Sequence, residues 1–163
     1  MSCNKFRPHL LVLVEDDANR QIAVGFAIHH ALDTRAIQVL PPGGGWTKVV
    51  DGFRDNQVSD MAKYTERRIL LVVDFDNEFG QRIDEIRRAI PNRLNERVFI
   101  LGTRSTPENL RNETGASFEE IGQELAEDCA DNTRKTWNLA GLAHNAAELD
   151  RLFLSVRPFL FVC

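Results

Sequence analysis

Two short apolar runs, each ending in carboxylates, constrain this chain more than any other feature in it. Leu10-Leu11-Val12-Leu13-Val14 leads into Glu15-Asp16-Asp17, and Ile69-Leu70-Leu71-Val72-Val73 leads into Asp74-Phe75-Asp76. A leucine- and valine-rich run of this length without polar alternation is a strand buried on both faces, and such strands belong to parallel sheets covered by helices. The acids then fall at strand carboxyl ends, the edge where open α/β sheets bind ligands. If the two strands are neighbours, Glu15, Asp74 and Asp76 surround one crevice. Carboxylates grouped there repel one another unless a cation holds them, and hard oxygen ligands suit Mg²⁺ or Mn²⁺.

The rest of the chain supplies the elements such a sheet needs. A first strand over His9 to Glu15 is followed by Asp17 as N-cap and by a helix with Ile22, Phe26 and His29 or His30 at helical spacing. Ala36 to Leu40 forms a second strand, stopped by Pro41-Pro42 and the triplet Gly43-Gly44-Gly45, after which Trp46 to Phe53 starts a helix. The third strand, Ile69 to Asp74, precedes a helix over Gly80 to Ala89 that turns Ile83, Ile86 and Ile90 inward. Val98 to Leu101 is the fourth strand, closed by Gly102. This alternation predicts an α/β, Rossmann-like fold: a parallel central sheet of about four strands with helices on both faces. That core covers about residues 9–104. A helical extension follows over 105–163, with a capping box at Ser117-Phe118-Glu119-Glu120, a helix from Trp137 to Phe153, and a stop at Pro158.

At 163 residues and 43% hydrophobic, the chain suits one domain, 1–163, with a real core. The net charge of −4 gives no general attraction to nucleic acid, so binding there needs a local basic patch or a metal. Cys3, Cys129 and Cys163 lack metal or disulfide spacing and read as bystanders in a reducing cytoplasm. The polar start leads into a strand too short for a secretory core or a membrane span, which predicts a cytoplasmic protein with no membrane partner.

In a strand, side chains alternate, so Asp74 and Asp76 project together while Phe75 faces the core. Beside Glu15 they could hold one or two Mg²⁺ ions that orient a phosphodiester and activate a water. The triplet Gly43, Gly44 and Gly45 could bring backbone N–H groups to a phosphate, with Lys48 one turn into the next helix, although no Walker A spacing is present. Arg104, directly after the fourth strand, is the best placed of the basic residues to contact phosphate, ahead of Arg82. His144, Asn145 and Glu148 together suggest either a proton shuttle or, more commonly for a lone helical histidine, a structural group.

An apolar strand ending in Glu, a glycine-bearing turn after the next strand and an apolar strand ending in Asp-x-Asp resemble the Toprim domain. The arrangement is most similar to the Toprim nucleases of the overcoming-lysogenisation-defect family, over roughly residues 9–104. That resemblance implies Mg²⁺-dependent phosphodiester chemistry on DNA or RNA, with Glu15 as general acid or base, Asp74 and Asp76 as metal ligands and Glu78 as a further ligand. Two positions depart from the family pattern: Asp16 stands where Gly is usual, and Asn19 where an acid is usual. Nucleases of that group generally carry an ATPase domain, so a module of this kind would act alone or with a separate ATPase subunit.

Two other readings compete. The acids after the first strand and Asp74 after the third also resemble a response-regulator receiver, in which Asp74 would accept a phosphoryl group. Against it, no lysine follows a fifth strand, Lys135 being the only lysine beyond residue 104. The other alternative is a non-catalytic Toprim-like module that binds a nucleotide or a partner. Phe153, Phe159 and Phe161 could also serve a homodimer interface.

Overall fold

A computed structural model of the chain describes residues 2–162 and joins four strands in one parallel sheet of order β2-β1-β3-β4. The strands are β1 (His9–Val14), β2 (Ile37–Val39), β3 (Arg67–Asp74) and β4 (Val98–Thr103). Around them run α1 (Asp17–Ala27), α2 (Trp46–Gly52), α3 (Val58–Lys63), α4 (Phe79–Arg88), α5 (Pro107–Thr114), α6 (Phe118–Asp131) and α7 (Ala146–Leu160). The two apolar runs that end in acid are the central strands. They pair from His9 opposite Arg67 to Val14 opposite Val72, which brings their carboxyl ends side by side. The expected α/β sheet of four parallel strands is therefore present.

Both faces of the sheet are covered, as unbroken apolar strands require. Leu10, Val12, Val14, Phe99 and Leu101 pack into a core with Ile121, Leu125, Leu149 and Val156 of α6 and α7. Their strand neighbours Leu11, Leu13, Ile69, Leu71 and Ile100 enter the opposite core with Val49, Phe53, Met61, Ile83 and Ile86. Each such side chain, fully buried, contributes roughly 1.5–3 kcal/mol of transfer free energy. On the first face α1 and α6 cross with backbones almost touching. A Cβ built on Gly122 would lie 2.0 Å from the Ile22 carbonyl oxygen, and one on Gly25 would lie 2.1 Å from that of Glu119.

The free edge of β4 is closed by α7 and the turn before it. The Asn145 amide pairs with Gly102 as a strand would, accepting from its N–H at 3.2 Å and donating to its carbonyl at 2.9 Å. Glu148 accepts the Ile100 N–H at 3.1 Å, and Arg151 donates to the Val98 carbonyl at 2.6 Å and to Glu148 at 2.7 Å. An edge strand otherwise presents open donors and acceptors to other chains. These three side chains remove that hazard and explain why the carboxylate of Glu148 lies buried.

Three local expectations are corrected. The N-cap of α1 is Asp16, not Asp17: its backbone is extended and its side chain accepts the Asn19 N–H at 2.9 Å. Asp17 begins the helix and holds Arg20 and Gln21. Trp137 to Phe153 is not one helix, because turns and a short 3₁₀ segment, Ala143–Asn145, precede α7. Pro158 does not stop that helix, which runs on to Leu160. The carbonyl deprived of a partner by a proline is that of residue i−4. Here that residue is Leu154, which lies on the exposed face. Cys3 and Cys129 are free and buried, while Cys163 lies outside the described residues. Among the described residues no helix is long and apolar enough to cross a membrane.

Candidate functional site

The parallel pairing of β1 and β3 fixes a carboxylate pair at the centre of the sheet's carboxyl edge. Glu15 leaves β1 and its Oε2 accepts the backbone N–H of Asp74 at 2.7 Å. Asp74 is 7% exposed, and its Oδ1 accepts from Asn19 Nδ2 at 3.1 Å and from the Thr103 hydroxyl at 3.0 Å. Four segments thus meet at one point: the ends of β1, β3 and β4 and the first turn of α1.

Negative charge is crowded here. Burial, with Asp16 and Glu15 nearby, pushes the Asp74 carboxyl up to about 7, against the bonds from Asn19 and Thr103. Burial likewise raises Glu15, assisted by Asp16 and Asp76 and opposed by the Asp74 N–H and by Arg82. Both shifts have the sign expected of carboxylates for which desolvation outweighs the favourable contacts.

Asp76 and Glu78 do not complete the pair in this conformation. Asp76 and Asn77 adopt positive φ angles of 50° and 62°, which swing the chain away from the strand line just after Phe75. Arg82 then takes both acids: its guanidinium lies 2.6 Å from Asp76 Oδ2 and 3.4 Å from Glu78 Oε2, and also donates to the Asp74 carbonyl at 2.8 Å. The Trp46 ring lies 4.9 Å from that guanidinium. Among the described residues no group of three or more His, Cys, Asp or Glu side chains is arranged to hold a metal ion. What the crevice does offer is a pair of carboxylates, Glu15 and Asp74. Asn19 is 1% exposed, and its Oδ1 is buried without a hydrogen-bond donor. The carboxylate oxygens of Glu15 and Asp74 suit Mg²⁺ or Mn²⁺ in chemical type.

The glycine triplet serves the fold rather than an anion at two of its positions. Gly43 donates to the Val14 carbonyl at 2.9 Å and Gly44 to the Glu15 carbonyl at 2.8 Å, strapping the turn across the tip of β1. Gly44 and Gly45 have φ angles of 94° and 146°, which side chains rarely adopt. The phosphate cradle expected of Gly43 and Gly44 is therefore closed, because their N–H groups are occupied. Lys48 is exposed and lies over this strap, a Cβ on Gly44 being 3.8 Å from its Nζ. Arg104 is exposed directly beyond Thr103, its backbone tied to Gly141 and Asn77.

Sequence reasoning missed Thr103 and Asn19 as partners of Asp74, since neither carries charge. It also left open the role of His144, Asn145 and Glu148. Asn145 and Glu148 belong to the β4 edge. The His144 ring bonds the Gly102 carbonyl through Nε2 at 2.7 Å and stands edge-on to Phe75 and Phe79. Burial lowers its pKa against the bond to the Gly102 carbonyl, with Arg104 lowering it further, and that bond places a proton on Nε2.

No family model matches the chain, and neither a curated protein nor a solved structure matches it.

Proposed function

We propose that this chain is a Toprim-like, Mg²⁺- or Mn²⁺-dependent domain that performs phosphodiester chemistry on DNA or RNA. The observation that carries the reading is the 2.7 Å bond between Glu15 Oε2 and the Asp74 N–H, which brings the two acid-tipped strands to one crevice. Asp74 would hold the cation, with Glu15 beside it. A bound divalent cation would offset charge on the scissile phosphate and favour ionisation of a water. Glu15, its pKa raised by burial, is placed to exchange a proton with that water or with the leaving oxygen. Lys48 and Arg104 flank the crevice and would steady phosphates on either side. Asp76 and Glu78 would join the ligand set only after release from Arg82. On this reading the domain works in the cytoplasm, alone or beside a separate ATPase subunit, and a second copy could pair through the C-terminal aromatic residues.

The test is a cleavage assay of the full chain on labelled single-stranded DNA, duplex DNA and RNA, paired with calorimetry of Mn²⁺ binding. Cleavage should need the cation and disappear in Glu15→Gln and Asp74→Asn, and Asp74→Asn should also lose Mn²⁺. Cleavage unchanged in both variants would overturn the assignment. Binding of Mn²⁺ without cleavage of any substrate would favour the non-catalytic module.

One observation favours a second reading, the receiver-like phosphoacceptor. The strand order with an acidic cluster on β1, Asp74 on β3 and a Thr103 hydroxyl 3.0 Å from Asp74 suits a phosphorylation site as well. The sheet has no fifth strand among the described residues. Transfer of phosphate from acetyl phosphate to Asp74, read by mass, would select it.

A further inference from the structure

Between the sheet and the layer formed by α1, α6 and α7 lies a partly open cavity of about 90 Å³. Its wall is almost wholly apolar, with Ile22, Phe26, Leu70, Leu125, Leu152 and Val156 contributing, and it reaches Asn19 and Thr103 at one end. One water needs roughly 10–15 Å³ of such space, so there is room for several waters, yet each would need two to four polar partners. The wall cannot provide them. The Thr103 hydroxyl is engaged by Asp74 Oδ1, the Asn145 amide by both backbone groups of Gly102, and Asn19 Nδ2 by Asp74. A single acceptor is left over, Asn19 Oδ1, buried and without a donor.

An apolar chamber too poor in polar groups for a water cluster, yet holding one unmet acceptor, fits a particular kind of guest. We propose that this cavity binds a small apolar molecule bearing one hydroxyl donor, such as an aryl or short alkyl alcohol, with the hydroxyl on Asn19 Oδ1 and the hydrocarbon between α1, α6 and the sheet. Leaving such an acceptor unmet is a cost that a donor-bearing guest removes while its hydrocarbon leaves water. The site stands apart from the cation reading, since it needs neither Glu15 nor a metal.

Benzyl alcohol and toluene are the probes, each titrated into the full chain in the presence of chelator and followed by methyl NMR and thermal melting. Benzyl alcohol should give saturable shifts at Leu125 and Val156 and raise the melting temperature, with toluene binding about tenfold more weakly for want of the hydroxyl. Ala23→Leu and Val156→Phe, which fill the chamber from two sides, should each abolish saturation. Leu154→Ala, on the exposed face of α7, should leave it unchanged. If Val156→Phe fails to fold, Ala23→Leu gives the same readout. Absence of saturable binding by either probe, shifts that persist in a folded filled variant, or equal affinity for the two probes would overturn the proposal.

Discussion

At the base of the central strands, opposite the carboxylate crevice, one buried contact sets a proton's position. Arg67 is 2% exposed and donates through Nε to His9 Nε2 at 3.0 Å, while His9 Nδ1 bonds the Arg7 carbonyl at 2.7 Å. Nε2 must accept, so the ring is neutral with its proton on Nδ1. Burial holds the His9 pKa below 6.5, with Arg67 adding to the effect. Because the unfolded chain binds this proton more readily, the associated stability is complete above the unfolded value near 6.5 and is lost as pH falls through the lower folded one. His9→Gln can still accept from Arg67. We expect the variant to melt near the parent at pH 8 and to lose less stability between pH 6.5 and 5, measured as a parent-minus-variant difference; parallel curves would show that His9 does not titrate in that window. Arg82 is the other telling residue, since it holds both Asp76 and Glu78. On the cation reading, Arg82→Ala frees two carboxylates and should tighten Mn²⁺ binding about fivefold, the equivalent of ~1 kcal/mol. Weaker binding in calorimetry would mean that the Arg82 bond to the Asp74 carbonyl is what shapes the crevice.

Elements hold together here through two kinds of contact, and each gives its own stability test. The crossing of α1 on α6 needs bare backbone: with a Cβ 2.0 Å from the Ile22 carbonyl oxygen, Gly122→Ala must push the helices apart. Overpacking of this sort costs roughly 1–3 kcal/mol, so the urea midpoint should fall while the slope stays the same. An unchanged midpoint would show that the two helices separate without loss. The lock on β4 is polar instead. Glu148→Ala leaves the buried Ile100 N–H without an acceptor and strips Arg151 of its carboxylate partner, and Asn145→Ala leaves the Gly102 N–H without an acceptor and its carbonyl to His144 alone. Each buried group so orphaned costs about 1–3 kcal/mol, and an opened parallel edge invites pairing between chains. Reduced stability with concentration-dependent association, seen by light scattering, is the expected result for either variant, whereas Glu148→Gln, which keeps an acceptor, should fall short of both effects.

For the molecule as a whole, what the sequence made legible was whatever depends on burial pattern. Unbroken apolar runs at Leu10–Val14 and Ile69–Val73 identify strands covered on both sides, and acids at their ends locate the crevice once those strands lie side by side. Contacts made by single side chains to distant backbone leave no such pattern. Nothing periodic announces that Asn145, Glu148 and Arg151 pair with β4, that Arg82 captures Asp76, or that Gly43 and Gly44 bind the tip of β1. Uncharged partners such as Asn19 and Thr103 are equally silent. The crowding they surround nevertheless has a consequence for global stability. Asp16, Glu15 and Asp74 place negative charge in a half-buried space, so removing one charge by the near-isosteric Asp74→Asn should leave the melting temperature in chelator equal to the parent's or above it. A ligand that binds only the folded state stabilises it by about 2.7 kcal/mol at a hundred times its dissociation constant. For a chain of this length that corresponds to a rise of roughly 5–10 °C. The parent should show that rise with Mn²⁺ and Asp74→Asn should not, although the variant is no less stable to begin with. A matching rise in both proteins would place the cation elsewhere, and a destabilised variant would mean that the Asp74 charge supports the fold instead of straining it.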